Sequence, residues 1–103
     1  MGKMQRDKGA RFERQIVKEL ELHDIRAKRV PLSGATWLKG DVIVALNNED
    51  YVLELKKRGN AFRQIYQWID EADALVIAAD RKKPLIVMDL DDFCDLYNNK
   101  EKS

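Results

Sequence analysis

Asp41, Glu54 and Lys56 are the residues whose types and spacing could do chemistry. They lie in GDVIVALNNEDYVLELKKR, two apolar runs joined by NNED. The pattern reads as a hairpin, with strands at about 41–46 and 51–57. Its apolar residues and polar turn need no further explanation. Glu54 and Lys56 inside the second run do, as does Asp41 at the head of the first, because a charged side chain in a half-buried strand is costly unless paired or bound. Side chains alternate along a strand, so Leu53 and Leu55 face one way while Val52, Glu54 and Lys56 face the other. If Leu46 pairs with Tyr51 across NNED, Asp41 stands opposite Lys56 and Glu54 is its diagonal neighbour, with Cα atoms roughly 7–8 Å apart. All three then share one face, an arrangement that a bulge or a one-residue slip would undo.

Two carboxylates gathered at one strand end repel each other, and a divalent cation between them removes the conflict. An all-oxygen donor set suits Mg²⁺ or Mn²⁺ rather than zinc. Such an ion activates a water and shields a phosphate, and Lys56 adds positive charge beside the developing phosphorane. Asp41, Glu54 and Lys56 therefore point to metal-assisted phosphodiester hydrolysis. An acidic residue two places before a lysine is a weak signal by itself: Asp80-Arg81-Lys82 repeats it at what reads as a solvated loop end. Glu54 differs in lying inside a strand pattern with Asp41 as a partner. The plainer alternative is a cross-strand Asp41–Lys56 pair decorating a solvent face.

These residues need elements to position them. Phe12, Ile16 and Leu20 recur every four residues and predict an amphipathic helix over about 7–22, with Asp7 as N-cap. IRAKRV is a short strand stopped by Pro31, and PLSGATWLKG reads as a loop. After the hairpin, Gly59-Asn60 punctuates the chain. Ala61, Ile65, Trp68, Ile69 and Ala72 then predict a second helix near 60–72. ALVIAA and PLIVM are continuous apolar runs, expected to be strands covered on both faces. DLDDFCDLYNN predicts a short final helix with Asp89 or Asp91 near its start, and the polar tail from about 98 to 103 is expected to fray. The order α-β-β-β-α-β-β-α makes an α/β domain on a mixed sheet.

At 103 residues the chain is expected to be one domain, able to bury ~60–68 % of its unfolded surface. A single cysteine, Cys94, excludes an internal disulfide framework, fits a reducing compartment and reads as a small core residue. There is no apolar N-terminal segment and no apolar run of membrane length, so a soluble cytoplasmic protein without a membrane partner is expected. The net charge of +1 is unevenly placed. Residues 1–40 hold ten Lys/Arg against five Asp/Glu, a net +5; residues 41–103 hold nine against thirteen, a net −4. A basic N-terminal portion implies a polyanionic partner, most often nucleic acid. The alternative is a solvated helix face with scattered charge.

The chain resembles the PD-(D/E)XK nuclease superfamily, and within it is most similar to the archaeal-type Holliday junction resolvases, which also occur in phages. RDKGARFER at 6–14, RVPLSG at 29–34, GDV at 40–42 and LELKKR at 53–58 carry the resemblance, which covers about residues 5–93. It implies a restriction-endonuclease-like α-β-β-β-α-β core with a mixed central sheet. It implies that Asp41, Glu54 and the main-chain carbonyl of Leu55 are ligands to Mg²⁺, with Mn²⁺ able to substitute. Lys56 matches the motif lysine, and Glu13 the acidic residue that orients the attacking water. Arg6 and Arg29 match basic DNA-contacting positions; Lys8, Arg11, Lys57 and Arg58 belong to the same expected DNA-binding surface. Ser33 matches a serine that precedes the Asp motif. Two departures stand out: Gly40 replaces the family's usual proline, and the loop from Ser33 to Asp41 is longer, which bears on the role of Ser33.

Several residues carry two readings. Glu13 alone is an ordinary helix-surface glutamate near Val17 and Leu20. His23, at a helix end, is a dipole-friendly cap rather than a ligand or base. Trp37 would either stack on an unpaired base or anchor the core. Phe62, Tyr66 and Ile69 form a second apolar stripe on the 60–72 helix, more than the core of so short a chain needs. Resolving a two-fold-symmetric junction takes two nicks, so the stripe is expected to be a homodimer interface, extended by Phe93 and Tyr97. The expected function is a Mg²⁺-dependent, structure-selective DNA endonuclease that resolves four-way junctions by paired nicking, with a phage-encoded form acting in the host cytoplasm. A same-fold nuclease acting on flaps, nicks or lesions remains open. So does a DNA-binding domain without catalysis, against which the intact Asp41/Glu54/Lys56 set argues.

Overall fold

The computed structural model describes residues 2–30 and 40–99, the side chains of 2–8 excepted. In chain order the elements are α1 (Gly2–Leu22), β1 (Ala27–Arg29), β2 (Val42–Leu46), β3 (Glu49–Leu53), α2 (Arg63–Ile69), β4 (Leu75–Ile77), β5 (Leu85–Val87) and α3 (Leu90–Asn99). This is the expected order, in a mixed α/β fold compatible with a restriction-endonuclease-like core. The chain divides into two compact units, Met1–Lys57 and Arg58–Ser103.

In the first unit α1 packs on β1 of an antiparallel three-stranded sheet, ordered β1-β2-β3. The predicted stripe is the buried side of α1: Leu20 is fully buried, and Phe12, Ile16 and Val17 are half-buried. The helix begins at Gly2 and runs through Asp7, so Asp7 is not its N-cap; Lys3, Met4, Gln5 and Arg6 are all good helix formers and give it no reason to stop there. α1 ends in a Schellman turn. The Ile25 N–H donates to the Leu20 carbonyl and the Asp24 N–H to that of Glu21, each at 3.0 Å. Asp24 takes the left-handed conformation, φ 63°, usually given to glycine. Leu20 and Ile25, the apolar pair such a turn brings together, are both buried.

β1 pairs with β2 through Ala27↔Val44 and Arg29↔Val42, and β2 with β3 through Val42↔Leu53 and Leu46↔Glu49. Ala27, Val42 and Val44 complete the core, while Lys28, Ile43 and Ala45 between them are less buried, as in a sheet covered on one face. The hairpin turn is Asn47-Asn48 alone, both with positive φ (54° and 67°). That is the geometry of a two-residue type I′ turn, whose backbone twist matches that of the strands and which asparagine tolerates. The four-residue NNED turn is therefore corrected: Leu46 pairs with Glu49, not Tyr51, a shift of two residues. The polarity of Glu49 and Asp50 suggested a turn, but the αL preference of the two asparagines decides. β3 consequently ends at Leu53, leaving Glu54 and Lys56 just beyond the strand.

The second unit holds α2, the antiparallel β4–β5 pair and α3. α2 spans seven residues rather than 60–72, none fully buried. Beyond Ile69 the chain continues as turns, with the Asp70 N–H on the Gln67 carbonyl (3.4 Å) and the Ala72 N–H on that of Ile69 (2.9 Å). Asp89 caps α3: its Oδ1 accepts from the N–H groups of Asp91 (2.8 Å) and Asp92 (3.4 Å). Asp91 and Asp92 then place negative charge at the positive end of the helix dipole. Cys94 is buried, as expected, and the Phe93 and Tyr97 rings stack with centroids 6.5 Å apart. α3 runs through Asn98 and Asn99, and residues 100–103 of the polar tail lie outside the described residues. The cross-strand partners Val76 and Ile86 are 65 % and 67 % exposed, which corrects the expectation of strands covered on both faces. A run in which every residue is apolar has no alternation, so it cannot mark a face left open.

Candidate active site

The site is built at the open end of the β2–β3 hairpin. Gly40, with φ 134°, lies so close to β3 that a Cβ there would overlap Val52 Cγ1 and stand 3.3 Å from the Leu53 carbonyl oxygen. Proline, whose ring fixes φ near −65°, cannot occupy this position. The departure from the family's proline therefore has a local cause, the close backbone approach. The next residue, Asp41, donates its N–H to the Leu53 carbonyl at 2.8 Å, although Val42 is the register partner of Leu53. Asp41 and Val42 thus both stand against one residue, the arrangement of a β-bulge, which re-aims side chains. The Asp41 carbonyl accepts from the Val30 N–H at 3.0 Å, fastening the bulge to the end of β1.

Simple alternation does not apply at a bulge, so the argument that placed Asp41 on the face of Glu54 and Lys56 is corrected. A direct hydrogen bond takes its place. The Leu55 N–H donates to Asp41 Oδ2 at 2.7 Å, and this N–H belongs to the peptide that links Glu54 to Leu55. Asp41 is half-buried. Its carboxylate is therefore held against the backbone of the Glu54-Leu55-Lys56 segment, though by another route than strand parity.

The expected Asp41–Lys56 pair is also corrected. Lys56 Nζ lies 3.0 Å from Glu54 Oε2: once the register shifts by two, Lys56 lies beyond the paired strand, and its partner is the acid two residues back. Both side chains are more than half exposed, so the contact is worth little stability. Glu13 is not a free helix-surface acid. Its Oε1 accepts from Arg29 Nε at 2.9 Å, with the side chains 20 % and 35 % exposed. Arg29 stands opposite the buried Val42, so it bridges sheet to helix with at least one donor.

The remaining expected residues are spread more widely. Lys57 Nζ sits 5.4 Å from the ring centre of Phe12, within cation–π range, and ties the segment after β3 to α1. Arg11 on α1 and Arg58 are exposed. Arg6 and Lys8 are on α1, with side chains outside the described residues, and Ser33 and Trp37 lie outside them altogether. Tyr66 is 72 % exposed on α2; Phe62 at its N-cap and Ile69 are half-buried. Trp68, assigned to the core stripe by spacing, is instead exposed; the run IYQWI is apolar on more than one side, and its pattern does not say which side is inward.

Asp41, Glu54 and the Leu55 carbonyl, the ligands that the resemblance implies, are all oxygen donors, and that chemistry fits Mg²⁺ or Mn²⁺. Among the described residues no three acidic, histidine or cysteine side chains gather into a metal cluster. A set of two carboxylates and a carbonyl does not require a third. Glu13 is held by Arg29, and Lys56 lies beside Glu54.

The model of a family described as "Phage putative PDDEXK endonuclease" matches residues 4–103. No curated protein and no solved structure matches the chain significantly. Among the described residues no helix is long and apolar enough to cross a membrane.

Proposed function

The chain belongs to this family of phage PD-(D/E)XK endonucleases, and from that premise we propose that it is a Mg²⁺-dependent, structure-selective DNA endonuclease that resolves four-way junctions by paired nicking. The observation that carries the catalytic part is the 2.7 Å hydrogen bond from Leu55 N–H to Asp41 Oδ2, which couples the first carboxylate to the segment bearing Glu54 and Lys56. In this reading Asp41, Glu54 and the Leu55 carbonyl hold the ion. The ion supplies Lewis-acid stabilisation of the charge that develops on the scissile phosphate. Lys56 exchanges its contact with Glu54 for a non-bridging phosphate oxygen. Glu13, kept in place by Arg29, accepts a proton from the attacking water. Arg6, Lys8, Arg11, Lys57 and Arg58 contact phosphates, which position the substrate without reading its sequence.

Four-way junctions enter through symmetry. One chain carries one Asp41/Glu54/Lys56 set, and two opposed nicks ask for two sets, which a two-fold dimer provides. Tyr66, 72 % exposed on α2, supports a partner surface there. The test is incubation with Mg²⁺ on matched junction, flap and linear duplex DNA. Symmetric nicking of the junction is the expected result. Preferential flap cutting would reassign the substrate, and binding without cutting would remove the catalytic reading.

A further inference from the structure

The tip of the β4–β5 hairpin lies outside the site described above. Residues 70–99 carry eight Asp/Glu and three Lys/Arg, and the three cations are consecutive: Arg81, Lys82 and Lys83. Asp80 adjoins them, so the tip carries a net +2 within a stretch that is otherwise acidic, and it is the part of the stretch that attracts a phosphate. The local backbone presents the cations outward. The Lys82 N–H closes a turn onto the Ala79 carbonyl at 3.1 Å, and Arg81 takes a left-handed conformation, φ 65°, which is costly for a residue with a Cβ. All three side chains are exposed, and among the described residues none of them makes an ion pair. Two of these cations also line an open recess of about 490 Å³, together with Ile77, Ala78, Ala79 and Leu85.

We propose that this tip is a second phosphate-binding element, which docks on the sugar–phosphate backbone of a DNA arm. The recess chooses between kinds of nucleic-acid contact. Its floor is aliphatic with no aromatic ring, so it offers no platform for base stacking, the usual source of affinity for unpaired strands. Small apolar residues rimmed by two ammonium groups instead fit a deoxyribose against Ala78 and Ala79, with the flanking phosphates on Lys82 and Lys83. Such contacts fix register and orientation without reading sequence. The proposal rests on the reading of the protein as a DNA endonuclease and adds the β4–β5 tip to its DNA surface.

The test uses a variant that preserves the turn: Arg81→Asn, because asparagine tolerates the left-handed conformation, together with Lys82→Gln and Lys83→Gln. Binding to a labelled four-way junction is followed by fluorescence anisotropy in EDTA, across roughly 50–200 mM NaCl, with circular dichroism as the folding control. The variant is expected to bind about tenfold more weakly at the middle of that range, with a log–log salt slope shallower by about two units. An unchanged slope while the wild type binds overturns this proposal and leaves the nuclease reading standing. A wild type that does not bind DNA removes the nuclease reading, and the proposal with it. If the variant loses affinity for polyglutamate and keeps its affinity for DNA, the tip serves an acidic protein partner and the proposal is wrong.

Discussion

Arg29 Nε lies 2.9 Å from Glu13 Oε1, joining β1 to α1 across sixteen residues of chain. The resemblance implies separate duties for them, one on DNA and one on water. Paired, they form a single device in which the arginine fixes where the carboxylate points. Arginine suits this role, because its planar fork can hold one partner and still present donors to a phosphate.

A double-mutant cycle on Glu13→Gln and Arg29→Met, followed by urea denaturation, is expected to give a coupling energy of about 0.5–1 kcal/mol, modest because the pair is partly exposed. Kinetics separate the roles. At saturating DNA, Glu13→Gln is expected to slow single-turnover nicking by about 10². Arg29→Ala should slow it by about tenfold even there, and should also reduce the salt slope of binding by about one unit. Full recovery of the Arg29→Ala rate at saturating DNA would mean that the arginine only binds.

Asp41→Asn and Glu54→Gln are each expected to lower single-turnover nicking by about 10² or more, with junction affinity in a gel-shift titration changed less than about threefold. An asparagine oxygen can still accept from the Leu55 N–H, so Asp41→Asn keeps the local structure while losing the charge. Calorimetric titration with Mn²⁺ gives a readout apart from activity, and both variants should lose the binding isotherm. Cleavage at near wild-type rate by either one removes it from the site.

Gly40→Ala is expected to cost about 1–3 kcal/mol in chemical denaturation, because φ 134° disfavours any Cβ and that Cβ meets Val52. Val52 is β-branched and stiff, so it cannot swing aside cheaply. Adding Val52→Ala should recover part of the loss, and the remainder measures the backbone strain alone. A Gly40→Ala protein as stable as wild type would mean that the chain does not pass β3 this closely.

Tyr66→Glu, on the exposed side of α2, is expected to give a folded monomer by sedimentation equilibrium where the wild type is a dimer. Phe62→Glu added to it strengthens the effect but needs the circular dichroism control, since Phe62 is half-buried. On a cruciform plasmid the wild type should yield linear product and the variant open circles. A wild type that is monomeric even on junction DNA removes the dimer, and a variant that stays dimeric moves the interface elsewhere.

Much of the fold was legible because its signals are local. The four-residue recurrence of Phe12, Ile16 and Leu20 marks the buried side of α1, and Asp89 announces α3 through a side chain that can cap only its own helix. The family match spans residues 4–103. The errors arose where a choice turned on backbone angles or on distant partners. Nothing in the polarity of NNED says that two asparagines will take positive φ and shorten the turn. The bulge at Asp41 has one trace in the sequence, Gly40, which could equally be an ordinary loop residue. Glu13 and Arg29 find each other only after α1 has packed on β1.

Cys94 has one more consequence. It is the only thiol in the chain and is fully buried in α3, within the second unit. A reagent that modifies thiols can reach it only when its surroundings open, so the rate of modification in native buffer reports that opening. The molecule thus carries a built-in stopwatch for the opening around α3. Reading it with and without junction DNA would show whether a substrate gripped by Arg81, Lys82 and Lys83 slows the clock.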